Sequence, residues 1–165
     1  MKEWYTEQKQ DSLEVEALFD LCFAPGRQAL SSYRLRAEQA PVADLSTIVR
    51  DADGLLFAAI RCWPVWINQS ASLLLGPIAV HPTRQGEGIG GKLIRLTLKK
   101  AESMNWQRVI LVGDLAYYRK FGFERLHDVV MPPPTNPDRV LGMALTEGAW
   151  TGIEGLVQPW SANRN

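Results

Sequence analysis

The chain lacks any excess of one charge: lysine plus arginine and aspartate plus glutamate both number 18 in 165 residues, so the formal net charge is zero. That balance gives no global field for gathering nucleic acid or an anionic membrane surface, although a local basic patch remains allowed. Cysteine is scarce. The two present, Cys22 and Cys62, sit inside apolar stretches at no ligand-type spacing. They read as small core residues of a reduced, cytoplasmic protein, and no metal site is expected. Long hydrophobic runs are missing too: the longest, Leu73 to Val80, is far too short to span a bilayer. The opening MKEWYTEQKQ has no apolar h-region, so no secretory signal is expected. What remains is ordinary globular material, 46% hydrophobic and 22% charged, which argues against disorder. Surface scaling at this length buries about 69% of the unfolded surface. One core is expected, in a single domain over residues 1–165.

The period of the apolar residues divides the chain. Asp11 with Glu14 looks like a capping box opening a helix through Leu18 and Cys22, stopped by Pro25-Gly26. Ser31 to Glu38 reads as a second, shorter helix. Leu45–Arg50 and Leu55–Trp66 then read as strands joined by the Asp53-Gly54 turn. Ser72–Val80 is a third strand, and Gly76-Pro77 inside it implies a bulge or splayed pairing, since proline cannot donate to a ladder. From Ile89 to Met104 the helical period returns, with Ile89, Leu93, Leu96, Thr97, Ala101 and Met104 on one face. Lys92, Arg95, Lys99 and Glu102 form the opposite row, read as solvated. A buried strand over Gln107–Gly113, a short helix capped by Asp114 and closed by Gly122, and strands over Phe123–Val130 and Val140–Leu145 complete the order. With a small edge strand near Glu3, this is β-α-α-β-β-β-α-β-α-β-β, an α/β (α+β) fold around a mixed sheet. Trp150 and Trp160 suggest that the tail after Gly148 packs on something.

The densest chemical signal is RQGEGIGGK, Arg84 to Lys92, between a buried strand and an amphipathic helix. Glycines let backbone approach a ligand closely, the first helical N–H groups have no intrahelical partner, and the dipole favours an anion. A phosphate or pyrophosphate is the natural guest. Gly86 to Gly91 satisfies G-x-G-x-x-G, with Asp114 at the end of the next strand, which admits a dinucleotide. Against that reading, a dinucleotide fold opens with repeated β-α units, and this chain opens with helices and a strand meander. The rival pattern is Gln85-x-x-Gly88-x-Gly90, a Q/R-x-x-G-x-G opening of a helix.

The runs LLLGPIAVHPTRQGEGIGGKLI and VILVGDLAYYRKFGFERL resemble the cofactor-binding half of the GNAT superfamily of N-acetyltransferases. The resemblance is specific over Ser72 to Leu126, about a third of the chain, and the order of elements agrees over most of the rest. It implies a splayed, bulged strand, here Ile78, Ala79 and Val80, pairing with the pantetheine arm of acetyl-CoA as co-substrate. It further implies that Gln85, Gly86, Gly88, Ile89, Gly90, Gly91 and Lys92 hold the pyrophosphate. Gln85 stands where the family more often has arginine. Tyr118, four residues before Gly122, matches the tyrosine that often protonates the departing coenzyme and also touches it.

Acyl transfer to an amine needs a route for the amine proton, a donor for the oxyanion and an acid for the leaving thiolate. Tyr118 is the candidate acid. Its rival reading is an aromatic core cluster with Tyr117, Phe121 and Phe123, and Tyr117 is expected to point about 100° away round the helix. No base is evident. Leu73–Val80 holds no acid, His81 before Pro82 reads as a turn residue, and Asp114 reads as a cap before it reads as a base. The amino-terminal helices and the strand carrying Trp63 and Trp66 are expected on the acceptor side. The function expected is transfer of acetyl from acetyl-CoA to a primary amine of a small molecule or peptide, without nucleic acid or membrane. Homodimerisation is left open. A non-catalytic acyl-CoA sensor and a dinucleotide-binding module are the alternatives.

Overall fold

The computed structural model describes residues 2–23, 31–37 and 39–161. Its strands are β1 (Glu3–Thr6), β2 (Thr47–Arg50), β3 (Leu56–Ile67), β4 (Ser70–Val80), β5 (Arg108–Val112), β6 (Glu124–Arg125), β7 (Val129–Val130), β8 (Val140–Ala144) and β9 (Gly155–Pro159). Its helices are α1 (Ser12–Phe23), α2 (Ser31–Arg34), α3 (Ile89–Ser103) and α4 (Leu115–Tyr118). One mixed sheet runs β1-β2-β3-β4-β5-β8-β6, and β9 joins the far end of β3. Only β4–β5 among the sheet's main contacts is parallel, because α3 carries the chain back across one face.

Alternation along the strands assigns the two faces. Val49, Ala58 and Ile60 pack with Ile89, Leu93, Ile94 and Leu98 of α3, whereas Ile48, Ala59 and Ala79 pack with Val15, Leu18 and Phe19 of α1. Cys62 is fully buried and Cys22 half-buried, and both are free thiols. Burial pushes the Cys62 thiol up to about 12, so it stays protonated like any core residue. Among the described residues no helix is long and apolar enough to cross a membrane.

Ion pairs join the apolar packing that fixes α1. Arg61 of β3, only 7% exposed, donates to both oxygens of Glu7 at 3.0 and 2.8 Å and to Glu16 of α1 at 2.8 Å. Arg50 of β2 pairs with Asp11 and Glu14, each at 2.8 Å. Asp11 is therefore not the N-cap of α1. It closes a preceding 3-10 turn, accepting from the Gln8 N–H at 2.8 Å, and its other oxygen serves Arg50.

Two further expectations are revised. Leu96 is 44% exposed, and Ile94 and Leu98 complete the buried face of α3 in its place. The stretch Phe123–Val130 is two short strands on different partners: β6 pairs β8, and β7 pairs β9. The tail adds β9, and Trp160 stacks on Trp66 with ring centroids 4.1 Å apart. The Pro25-Gly26 stop lies outside the described residues, as does Glu38, where the second helix was expected to end.

Candidate active site

The site is built where β4 leaves β5. The two strands pair only at Leu73–Val109 and Leu74–Ile110. On its other side β4 stays paired to β3, but Ile60 opposes Ile78 while Cys62 opposes Leu75. Gly76 and Pro77 thus face Arg61 alone, a bulge of the kind a proline forces in a central strand. Beyond it, Ile78, Ala79 and Val80 keep their β3 partners and turn their other edge away from β5. A gap opens between the two parallel strands.

Two cavities fill that gap. The first, about 510 Å³, is walled by Ile78, Ala79 and Val80, by Gln85, Gly86, Gly88, Ile89, Gly90 and Gly91, and by Tyr118. Ten of the eleven residues assigned to the coenzyme therefore meet round one space. The eleventh, Lys92, does not: its side chain is exposed and its N–H donates to Gly88 O at 3.2 Å. That bond is the first of α3, which leaves the N–H groups of Ile89, Gly90 and Gly91 without intrahelical acceptors. Gly88 precedes them in the left-handed region, at φ 79°, with no side-chain cap over the helix end. The uncapped amides and the positive end of the helix dipole suit a phosphate.

The loop's own acid is kept out of the way. Glu87 accepts from Arg84 at 2.9 Å and pairs with Lys2 at 3.2 Å. These two contacts hold its carboxyl below the usual range, the Arg84 hydrogen bond being the larger cause. Gln85 folds back, donating from Nε2 to Val80 O at 3.2 Å, and so ties loop to strand. His81 is a turn residue: its ring accepts from the Thr83 N–H at 3.2 Å.

Sequence reasoning missed three groups on this wall. Arg95, assigned to the solvated row, and Lys120 both line the cavity. The Arg95 guanidinium lies over the Phe121 ring, 4.8 Å from its centroid, and the Lys120 ammonium over Tyr117 at 4.2 Å. A signal for Arg95 existed, since it stands four residues after Gly91 and so on the same side of α3. Tyr117 is the third. It lines both cavities together with Tyr118, with the two ring centroids 4.9 Å apart, and is not turned away from the site.

The second cavity, about 450 Å³, shares Ile78, Tyr117 and Tyr118 with the first. Its remaining walls include Phe23 of α1, Tyr33 of α2, Arg36, Asp114 and Arg139. A third space of about 360 Å³ continues it past Tyr33, Arg36 and Pro77 to Trp63 and Glu16. Trp63 thus lies on this side, while Trp66 lines neither space and anchors the tail. Asp114 caps α4, accepting from the Ala116 N–H at 3.0 Å. Tyr118 stands at the junction. Burial pushes its phenol up to about 12, with Tyr117 adding to the shift and Arg139 opposing it. The hydroxyl is therefore held protonated at neutral pH, as a proton donor must be.

A splayed β-α junction with an open helix end on one side, a tyrosine at the waist and a second cavity beyond defines a group-transfer site for a phosphate-bearing donor. The acetyltransferase (GNAT) domain family matches residues 43–125, half of the chain, and the chain belongs to that family. Its enzyme class is N-acetyltransferase, with acetyl-CoA as co-substrate. The Escherichia coli K12 protein named uncharacterized N-acetyltransferase YhbS is 28% identical over 152 residues, 90% of each chain. A second one, YjhQ, is 43% identical over 51 residues, 31% of this chain and 28% of its own length. The crystal structure of E. coli YhbS with CoA superposes at a TM-score of 0.82, with 23% identity, covering 96% of this chain and 89% of that one. A GNAT acetyltransferase from Brucella melitensis solved with acetyl-CoA gives 0.74 at 27% identity, covering 98% and 97%.

Proposed function

We propose that the chain acts as one acyltransferase unit over residues 1–165, moving acetyl directly from acetyl-CoA to a primary amine of a small molecule or peptide. The observation that carries this reading is the meeting of two cavities at Tyr118, one fitted to an anionic donor and one left for an acceptor. Acetyl-CoA supplies the acetyl group already activated as a thioester.

The chain's own residues do the rest. The amides of Ile89, Gly90 and Gly91, with Arg95 and Lys120 beside them, hold the pyrophosphate. The free edge of Ile78–Val80 aligns the pantetheine arm. The amine enters from the Tyr33 side and its nitrogen bonds to the acetyl carbon as the carbonyl π pair moves onto oxygen. The oxyanion then re-forms the carbonyl as the carbon–sulfur bond breaks, Tyr118 gives its proton to the departing sulfur, and solvent reprotonates the phenolate. The β4 segment facing the junction offers no carboxylate, so the amine proton leaves through solvent in the second cavity or the amine arrives neutral.

A thiol-release screen of amines, amino acids, polyamines and peptides with acetyl-CoA tests the reading, alongside melting with acetyl-CoA, NAD and NADP. At a hundredfold excess over Kd a native-state ligand adds about 2.7 kcal/mol. Acetyl-CoA should raise Tm, and the dinucleotides should not. Stabilisation by NAD with no thiol released from any acceptor would overturn it.

A further inference from the structure

The charged groups around the acceptor cavity differ in how they are partnered. Arg61, at the edge of the third space, is paired with both Glu7 and Glu16, and Asp114 keeps its charge while accepting the α4 cap bond with one oxygen. Arg139 is different. It lines the cavity beside Asp114 and Tyr118, and among the described residues no carboxylate pairs with it. Its neighbour Asp138 is taken by Arg125 at 3.0 Å. The backbone that carries Arg139 is fixed from two sides. Asn136 caps its 3-10 turn by accepting from the Asp138 N–H at 3.0 Å, and Arg139 O accepts from the Gly113 N–H at 2.9 Å. Gly113 directly follows β5 and precedes the cap of α4, so the backbone that carries Arg139 is positioned by the same elements that position Tyr118, and its side chain is exposed at the cavity rim. A second guanidinium, Arg36, lines the cavity from the turn after α2, stacked over Tyr33 at 4.7 Å.

A planar fork at a pocket rim suits a bidentate oxyanion. A simple alkylammonium offers that fork no counter-charge, so the discrimination comes from the anion that the fork binds. Resting on the acetyl-transfer reading, we propose that the acceptor is an amine that also carries a carboxylate or phosphate, and that Arg139 binds that anion. The amine then lies toward Tyr118 and the anion toward the Arg139 rim, a separation that any short amino acid or amino phosphate spans.

The test compares matched acceptors. Phenylalanine against phenylalaninamide reads carboxylate, and O-phosphoethanolamine against ethanolamine reads phosphate. The anionic member should lead in kcat/KM by at least about 10-fold in one arm, the value of one charged hydrogen bond. Arg139→Gln should collapse that ratio toward one, chiefly through KM of the anionic member, and Arg139→Lys should restore part of it. With kcat/KM expressed per free amine, the change in this ratio on Arg139→Gln is the informative readout, because the amine pKa difference within a pair is the same for both enzymes and any effect on Tyr118 is common to both members. Equal or better turnover of the neutral member in both arms, or a ratio that Arg139→Gln leaves unmoved, overturns the proposal.

Calorimetry on the CoA-loaded protein separates this failure from failure of the acetyl-transfer reading. N-acetylphenylalanine and N-acetylphosphoethanolamine are titrated against their neutral counterparts. Anion-selective binding that Arg139→Gln abolishes supports the anion site even if no amine is acetylated, and the loss then falls on the transfer reading. Absence of anion-selective binding overturns the anion site.

Discussion

The ring of Tyr118 lies against the bare backbone of Gly113: a Cβ placed on that glycine would stand 2.5 Å from Cε2 and 2.9 Å from Cδ2 of the tyrosine. No carbon–carbon contact of that length is tolerated, so the missing side chain is what seats the phenol at the junction of the two cavities. The backbone N–H of the same glycine holds Arg139 O, and the next residue, Asp114, caps the helix from which Tyr118 projects.

Gly113→Ala should therefore act on chemistry before it acts on binding. Pushing the ring by about 1 Å can cost on the order of 10²-fold in rate, and the crowding should cost about 1–3 kcal/mol of stability. Steady-state kinetics should show kcat falling toward the Tyr118→Phe level, with the acetyl-CoA Kd from calorimetry changed only slightly. A variant with unchanged kcat would mean that the ring can move aside at no catalytic cost.

Gly90 offers the opposite contrast. A Cβ there would meet Tyr117 OH at 3.6 Å and Val80 Cγ2 at 3.8 Å, which is ordinary contact. Gly90→Ala should fold normally. Gly90→Glu should also fold but set a carboxylate against the pyrophosphate, next to the uncapped amides. Coenzyme Kd should rise at least about 10-fold, roughly one charged hydrogen bond lost, with Tm nearly unchanged. Equal Kd values for a folded Gly90→Glu and the parent would put the phosphates elsewhere.

Local features of this site were legible before the fold was known. The glycine loop, the Asp114 cap and the Gly76-Pro77 bulge each depend on neighbours within a few residues, so their residue types announce them, whereas Tyr118 is singled out by the family resemblance. The misread features depend on what a distant segment brings. Asp11 was read as a cap because Arg50, far along the chain, cannot be seen beside it. Leu96 fits the helical period as well as Ile94 does, and only the position of the sheet under α3 chooses between them. Arg95 is exposed, as its place in the solvated row implies, and only the placement of the loop beside α4 shows that it and Lys120 also border the cavity. Tyr117 was turned away by helical geometry alone, yet two large rings on a short helix both reach a gap as wide as this one. Arg139, in the turn before β8, carries no local signal at all.

The raised phenol of Tyr118 makes a prediction about pH. The buried phenolate is disfavoured, so the folded-state value of about 12 lies above the ordinary 10.0. Between those values the unfolded chain has lost a proton that the native chain keeps, and stability must fall as pH rises. The contribution is fully present below about pH 10 and is lost toward pH 12, amounting to about 2–3 kcal/mol. Phenolate absorbance of the folded protein should show one late step that Tyr118→Phe removes. Urea unfolding at rising pH should show the parent losing more stability than that variant. A Tyr118 step at or below pH 10 would contradict the burial argument.

The most direct measurement is the effect of Tyr118→Phe on acetyl transfer, with the acceptor found by the thiol-release screen. The substitution keeps the ring, its packing on Gly113 and its contacts with Phe123 and Tyr117, and deletes only the proton donor. The account predicts that kcat falls by roughly 10²–10⁴-fold, with acetyl-CoA Kd and Tm nearly unchanged. A Tyr118→Phe enzyme that releases CoA at the parental rate would contradict it, leaving the hydroxyl at the waist of the site without a part in the reaction.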